Sequence, residues 1–497
     1  MTIFAADMAK ERNIREKEER RPSWVLALIP FVVLVALLVC VIRFFGSDAL
    51  EGASQVALIF GATVSVAIAI FFCHVPWKKL ESAMIGNISS IGTAIIILLL
   101  IGAISGTWMI SGIVPTLIYY GMKVIVPSIF LLACCLICAV ISLMTGSSWT
   151  TIATVGVALI GVGMAYGYSA GWTAGAIISG AYFGDKISPL SDTTVLASSS
   201  TETPLFEHIR YMLITTVPSF TIACIVFLIA SICHVSGGDN SAAVDFAPAL
   251  KASFNISPWL LIVPVLTGVM IAKKLPALVT LTSSALAAGL TALIAQPDIV
   301  AQIGGGSGEA FRDSFRGIMT AFYGNTSVQT GNEILDSLVE THGMSGMLNT
   351  IFLIMAAATF GGAMTGSGMI QSLTEALTRH IKGRTSLVAA TVSSGIASNM
   401  ITGDQYLSII LVSSLYKKLF KDKGFESRLL SRSAEDSATV TSVLIPWNSC
   451  GMTQSTVLKV PTTDYLPYCF FNLISPLMSV FIAAIGYKIV RHEDCNS

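Results

Sequence analysis

Long apolar runs decide what this chain can fold into. Crossing about 30 Å of hydrocarbon takes about 20 helical residues. Runs near that length occupy 24–45, 55–72, 89–110, 124–143, 212–233, 258–271, 277–295, 350–369 and 468–490, and polar residues interrupt several others. Hydrophobic residues make up 54% of the chain and charged residues only 12%, where soluble domains carry about 25% charge. Lipid offers backbone amides no hydrogen bonds, so apolar runs of this length span as helices. The expectation is an all-α polytopic membrane protein.

Charge placement orients the spans. Lys10, Arg12, Arg15, Lys17, Arg20 and Arg21 precede the first run, and Lys78 and Lys79 follow the second. Basic loops stay cytoplasmic, so the N-terminus is expected inside. Arg379, Lys382 and Arg384, and the run from Lys417 through Lys423 to Arg432, read as further inner loops. The glycine-rich, acidic stretches 237–245 and 298–309 read as outer ones. A secretory leader is not expected, because the polar start is long and no small-residue cleavage site follows the first apolar run. The ten cysteines, Cys134, Cys135 and Cys138 among them, lie mostly in apolar runs and read as packing residues. Net charge is zero and the six histidines fall in loops or at span ends, so neither nucleic acid nor zinc is implied. No cofactor is expected.

An internal repeat marks where the spans break. MTGSSWTTIATVG at 144–156 matches ITGDQYLSIILVS at 401–413 in its Thr-Gly, in an aromatic three residues past the glycine, and in a following Thr or Ser. Each copy is followed by a second polar cluster, Asp185 to Thr194 in the first half and Glu435 to Ser449 in the second. Pro189 and Pro446 lie inside these clusters, and proline breaks or kinks a helix. Paired interruptions in the two halves of a membrane chain point to a transporter site at the interface of two repeats. Two repeats, inverted in topology, are therefore expected, with about 10–13 transmembrane helices. The division is a polar tail 1–23, a first repeat 24–235, a connecting loop 236–256, a second repeat 257–490 and a tail 491–497.

The chemistry of those clusters is oxygen chemistry. Between Ala83 and Ser200 the charged residues are Lys123, Asp185, Lys186 and Asp192, and a charge at the centre of a span costs about 2.5–3.5 kcal/mol, which function must justify. The second cluster, SAEDSATVTSVLIPWNSCG, offers Glu435, Asp436, several hydroxyls, Asn448 and Ser449. Carboxylates, hydroxyls and freed backbone carbonyls suit a hard cation such as sodium. An acid shielded from water also holds a proton more readily, so sodium and protons can compete for one acid and antiport follows. Asp185, Asp192, Thr193, Asp404, Glu435, Asp436, Asn448 and Ser449 are the candidate ion and proton ligands. Asp404 in the second Thr-Gly patch matches the neutral Ser147 in the first, which points to different jobs for the two half-sites.

At GAYFGDKISPLSDTT (180–194), TGSSWTT (145–151) and SAEDSATVTSVLIPWNSCG (433–451) the chain resembles the NhaC family of Na+/H+ antiporters, over roughly residues 24–490. The resemblance implies an inner-membrane secondary carrier in which each repeat holds a hairpin tipped by the Thr-Gly patch and a broken helix carrying the acidic cluster. It implies that Thr145, Ser147, Ser148 and Thr150 line one ion site, with Asn399, Thr402 and Asp404 near its counterpart. NhaC-like carriers also resemble malate/lactate exchangers and amino-acid transporters, so two functions stay open. One is exchange of sodium, with lithium as a second cation, for protons. The other is coupled carriage of an organic anion or amino acid, for which Lys186 is the candidate anion partner and Trp149, Trp172 and Trp447 are candidate walls. A channel or enzyme is disfavoured, since no histidine pair, nucleophile elbow or phosphate loop lies among the spans; Gly304 to Gly306 reads as linker. A homodimer is an assembly the sequence leaves open.

Overall fold

The computed structural model describes residues 21–45, 51–235, 241–273, 275–331, 335–336, 339–378, 381 and 383–489. Among them the secondary structure is helical, apart from an isolated bridge between Thr326 and Thr341. Eight helices among the described residues are long and apolar enough to cross a bilayer, or up to ten if two bent pairs, kinked by 91° and 56°, each count as one span. The protein is an all-α polytopic membrane protein. Three further helices among the described residues are of crossing length but more polar: Ala170–Ile187, Arg384–Thr402 and Gln405–Asp422.

The first half of the central region runs α1 (Phe130–Thr145), α2 (Ser148–Ala165, with a π-helical turn at Ile152–Gly156), α3 (Ala170–Ile187), α4 (Asp192–Ser200) and α5 (Leu205–Val235). The second half runs α6 (Arg384–Thr402), α7 (Gln405–Asp422), α8 (Ser427–Ala434, continued by a π-helical turn at Glu435–Thr439), α9 (Ser449–Leu458) and α10 (Phe470–Ile485).

The halves repeat residue by residue. Gly146 stops α1 at φ 68° and Gly403 stops α6 at φ 66°, a left-handed cap that glycine adopts without steric cost. They stand 257 positions apart (403 less 146), as do Pro189 and Pro446. Ser147 and Asp404, in the same register, cap the next helix by accepting from the N–H of Thr150 and of Leu407. Thr145 and Thr402 each accept from the N–H two residues on, at 3.3 and 3.2 Å. The breaks match too: Ser188 and Ser191 flank Pro189 in extended backbone, as Ile445 and Asn448 flank Pro446. Even one tertiary contact repeats, for Ser148 bonds Asp185 in the first half and Gln405 bonds Ser442 in the second.

Small residues set the spacing. A Cβ on Gly180 would lie 2.0 Å from the Cys135 carbonyl oxygen, and one on Gly184 would lie 2.4 Å from that of Ala139. Glycines four apart let helix backbones touch where lipid supplies no hydrophobic drive. That contact clamps α3 on α1 and brings Asp185, one residue past Gly184, to the tip that follows α1.

Several loops expected from sequence are helices. The segment taken as a connecting loop holds a helix at Ser241–Ser253, since its alternation of alanine with apolar and charged residues is helical once past the glycines. Pro297–Gly304 is also a helix, with proline in its first turn where no amide is needed, and Gly305 stops it at φ 110°. Within the basic stretch, Lys417, Lys418 and Lys421 ride the end of α7. Arg432 is not in a loop at all but fully buried on α8, where it stacks over Tyr211 at 4.7 Å. The run at 124–143 is divided, because Pro127 opens a new helix after Val124 closes the last one. Lys10, Arg12, Arg15, Lys17, Arg20, Arg379, Lys382, 237–240 and the tail 491–497 lie outside the described residues.

Candidate functional site

The two halves meet at a cavity of about 700 Å³. The first half lines it with both arms of its motif: Thr145, Ser147 and Thr150 from the hairpin tip, Asp185, Ser191, Asp192 and Thr193 from the broken helix. The second half contributes Asp404, Gln405 and Tyr406 from its own tip, and Trp149 and Leu281 are among the apolar walls.

Asp185 is the best-anchored group there. It sits in the last turn of α3, where the following break frees Ser191 to fold back toward it. Ser148 donates to its Oδ2 through the backbone N–H at 3.2 Å and through the hydroxyl at 2.6 Å, and the Ser191 hydroxyl donates to Oδ1 at 2.6 Å. Hydrogen bonds to an ionised acceptor are the strong ones, so the carboxylate is held between the hairpin tip and the break. The Ser191 hydroxyl also meets Thr193 Oγ1 at 3.0 Å, and Thr194 donates to the Lys186 carbonyl at 3.0 Å, satisfying one carbonyl the break leaves without a helical partner.

Asp404 reaches the same cavity from a non-equivalent position. As the cap of α7 it accepts from the Leu407 N–H at 3.0 Å, and Ser449 donates to its other oxygen at 3.3 Å. The Ser449 N–H in turn donates to the Gly403 carbonyl at 2.8 Å, tying the second tip to the second break. Asn399 steadies this side by donating to the Ala438 carbonyl at 2.6 Å, and Asn448 donates to the Asn399 carbonyl at 3.2 Å.

Behind the cavity lies a second, enclosed set of charges. Lys186 and Asp436 form an ion pair with both side chains fully buried. Ser475 joins it, accepting from Lys186 at 2.9 Å and donating to Asp436 at 3.2 Å, while Thr215 donates to the same oxygen at 3.1 Å. Arg432 Nε lies 3.9 Å from the other oxygen of Asp436. Glu435, also fully buried, has no hydrogen bond of normal geometry to either carboxylate oxygen, although the Thr439 and Thr193 hydroxyls stand beside it. The turn that carries it is π-helical, a form that occurs mostly as single turns within α-helices and frequently at functional sites.

Of the candidates named from sequence, Thr145, Ser147, Thr150, Asp185, Asp192, Thr193 and Asp404 come together on the cavity. Ser148, Asn448 and Ser449 support them from behind, and Asn399 and Thr402 brace the second tip. Glu435, Asp436 and Lys186 stand apart from the lining, and Lys186 is engaged by Asp436 instead of facing a solute. Trp149 lines the cavity, Trp447 donates to the Met400 carbonyl at 2.7 Å, and Trp172 packs on Tyr468. Sequence reasoning passed over Ser191, Gln405 and Tyr406. Ser191 was findable as the cap residue directly before α4, and the other two through their place just past the second Thr-Gly.

The chain is similar to known proteins along most of its length. The sequence profile of the Na+/H+ antiporter family matches residues 6–199 and 180–487. The chain is 36% identical over 428 residues to the Na(+)/H(+) antiporter NhaC of Bacillus subtilis, covering 86% of this chain and 91% of that one. It is 36% identical over 422 residues to the Na(+)/H(+) antiporter NhaC of Alkalihalophilus pseudofirmus, covering 85% and 88%. To the malate-2H(+)/Na(+)-lactate antiporter of Bacillus subtilis it is 32% identical over 482 residues, covering 97% and 98%.

Proposed function

Because the chain belongs to the Na+/H+ antiporter family, we propose that it exchanges sodium for protons across the cytoplasmic membrane, at the cavity shared by Asp185 and Asp404, with its N-terminus inside. One observation carries this reading. Among the described residues lining the cavity three are aspartates, Asp185, Asp192 and Asp404, several carry hydroxyls, and none is lysine, arginine or histidine. Such a lining offers oxygen to a hard cation and no positive side chain to a carboxylate-bearing cargo.

Exchange then needs no covalent chemistry. Sodium entering from one side displaces the proton held by the cavity carboxylates, and a proton entering from the other side displaces sodium. The broken helices supply the moving parts: each break is short, proline-marked and tied to a hairpin tip, so a tip and its break move as a unit when the cavity changes the side it opens to.

The size of the cavity, together with Trp149 and Tyr406 in its wall, favours a second reading in which an organic solute rides with the ions, as the name of the malate/lactate relative says of that protein. The two readings part on whether sodium alone drives proton movement.

The test is Asp185→Asn and Asp404→Asn in reconstituted liposomes. Each variant inserts normally and loses sodium-driven proton movement. Wild-type exchange in either would remove that carboxylate from the site.

A further inference from the structure

Two cavities away from the exchange site share the short helix Met369–Thr378 as a wall. The first, of about 550 Å³, is polar and basic: Arg21, Lys79, the hydroxyls of Ser82, Thr365 and Ser367, and the Gln371 amide line it, and among its described lining residues there is no carboxylate. Glu375, outside the lining, meets Arg21 at 3.3 Å, but both side chains are exposed. A pair of that kind contributes little, so Arg21 can exchange it for another anion.

The second cavity, of about 660 Å³, is a chiefly apolar groove. Trp24 and Phe31 of the span Trp24–Phe45 form one wall, Ile370 and Leu373 of the short helix the next, and Ala397 and Ile401 of α6 the third. Trp24 and Leu28 at its rim are 50% and 38% exposed on a span that faces lipid, so the groove is entered from the bilayer. Trp24 is the first residue of its span, where tryptophan marks the membrane–water interface.

The two cavities are joined in the chain. Arg21 lines the basic one and Trp24, three residues on, lines the groove; Gln371 lines the basic one and its neighbour Ile370 the groove. A ligand that suits both has an anionic head at the membrane surface and a long apolar chain below it. The chain alone gives little reason to stay, because lipid tails are as apolar as the groove. The headgroup contact therefore decides retention, and basic side chains at the membrane surface favour anionic lipid.

We propose that these cavities form a binding site for one anionic phospholipid, its phosphate held by Arg21 and Lys79 and one acyl chain lying between the first span and α6. The chain lies against Ala397 and Ile401, in the last turns of α6 before Gly403, and so backs the arm that carries the second tip. The site is separate from the exchange cavity, and the inference holds whichever solute the protein carries.

The test is native mass spectrometry of the purified full-length protein in detergent, offered phosphatidylglycerol and phosphatidylcholine with the same chains in equal amounts. Two basic residues near a headgroup favour the anionic lipid by about thirtyfold, so the wild type should retain one phosphatidylglycerol in strong preference to phosphatidylcholine. Arg21→Gln combined with Lys79→Gln, both at exposed positions, should bring the ratio close to one. Ala397→Phe, which fills the groove, should lower phosphatidylglycerol retention by about tenfold, the equivalent of about 1.4 kcal/mol. Equal retention of the two lipids by the wild type, or an unchanged preference in the double variant, overturns the site; unchanged retention in Ala397→Phe overturns the groove as the place of the chain. Glycerophosphoglycerol, the same headgroup without chains, should not displace the lipid at equal concentration. If it does, the basic cavity takes a soluble phosphate and the lipid assignment falls. Should Ala397→Phe fail to fold, the double variant, altered only at the surface, decides alone.

Discussion

Replacing Gly180 with alanine tests how the site is positioned, since the residue touches neither ion nor cavity. The added Cβ would sit 2.0 Å from the Cys135 carbonyl oxygen, about 1.4 Å short of the 3.4 Å at which ordinary contact begins. The obstacle is backbone, so it cannot rotate away and α3 must move off α1. Overpacking of this kind costs about 1–3 kcal/mol. The functional cost follows from geometry: Ser148 belongs to the tip that continues α1, Asp185 belongs to α3, and their 2.6 Å hydrogen bond would open to about 4 Å, beyond bonding range. A misplacement of about 1 Å can lower a rate about 100-fold, so transport should fall by about 10- to 100-fold while some folded protein remains. Gly86→Ala is the control, because a Cβ there meets nothing within 4 Å and alanine favours a helix interior by about 0.5–1 kcal/mol. Thermal unfolding in detergent and dye-reported proton movement in liposomes read both effects. If Gly180→Ala unfolds and transports as the wild type does, the clamp is not what places Asp185.

Lys186→Met leaves Asp436 buried without its main partner and should destabilise the protein by about 3–5 kcal/mol, seen as a lowered unfolding temperature in detergent; an unchanged midpoint would mean that Arg432, Thr215 and Ser475 suffice. Gly403→Ala forces alanine to φ 66° and should cost about 1–2 kcal/mol, with a larger loss of transport than Gly383→Ala, where a Cβ meets nothing within 4 Å. Outside the spans, the Ser307 hydroxyl and the Gly308 N–H bonded to Asp313 hold its carboxyl below the ordinary value of 3.8. The lowered folded value means the contact stabilises the 305–309 turn above that pH and is lost as pH falls through it. Protection against hydrogen exchange in this turn, taken relative to the intrinsic rate at each pH, should therefore fall on acidification in the wild type but not in Asp313→Asn.

How much was legible in the sequence follows from what each signal is local to. The Thr-Gly tips and the proline breaks are local backbone events, written in residues such as Gly146, Gly403, Pro189 and Pro446, and the structure places them in one register. The acids are a different matter. Asp185 and Asp404 converge although Asp404 corresponds to Ser147 and Asp185 to Ser442, so the repeat alone could not pair them. The Lys186–Asp436 contact joins residues 250 apart, and no periodicity announces it. Arg432 read as one more basic loop residue because a charge run shows sign but not facing; what buries it is Tyr211 and Asp436, both brought there by packing. The GAYFG stretch was read for its polar continuation, while its two glycines, four apart, carried the packing contact that sets the site.

An acidic, oxygen-lined cavity suits sodium and protons as the exchanged species. The most direct measurement uses purified protein in liposomes loaded with a pH-sensitive dye, with sodium, lithium or potassium added in turn and then malate, lactate and a panel of amino acids. Sodium alone should move protons, and Asp185→Asn should abolish the movement. Silence with every cation until an organic solute is added would contradict the account and make that solute the cargo.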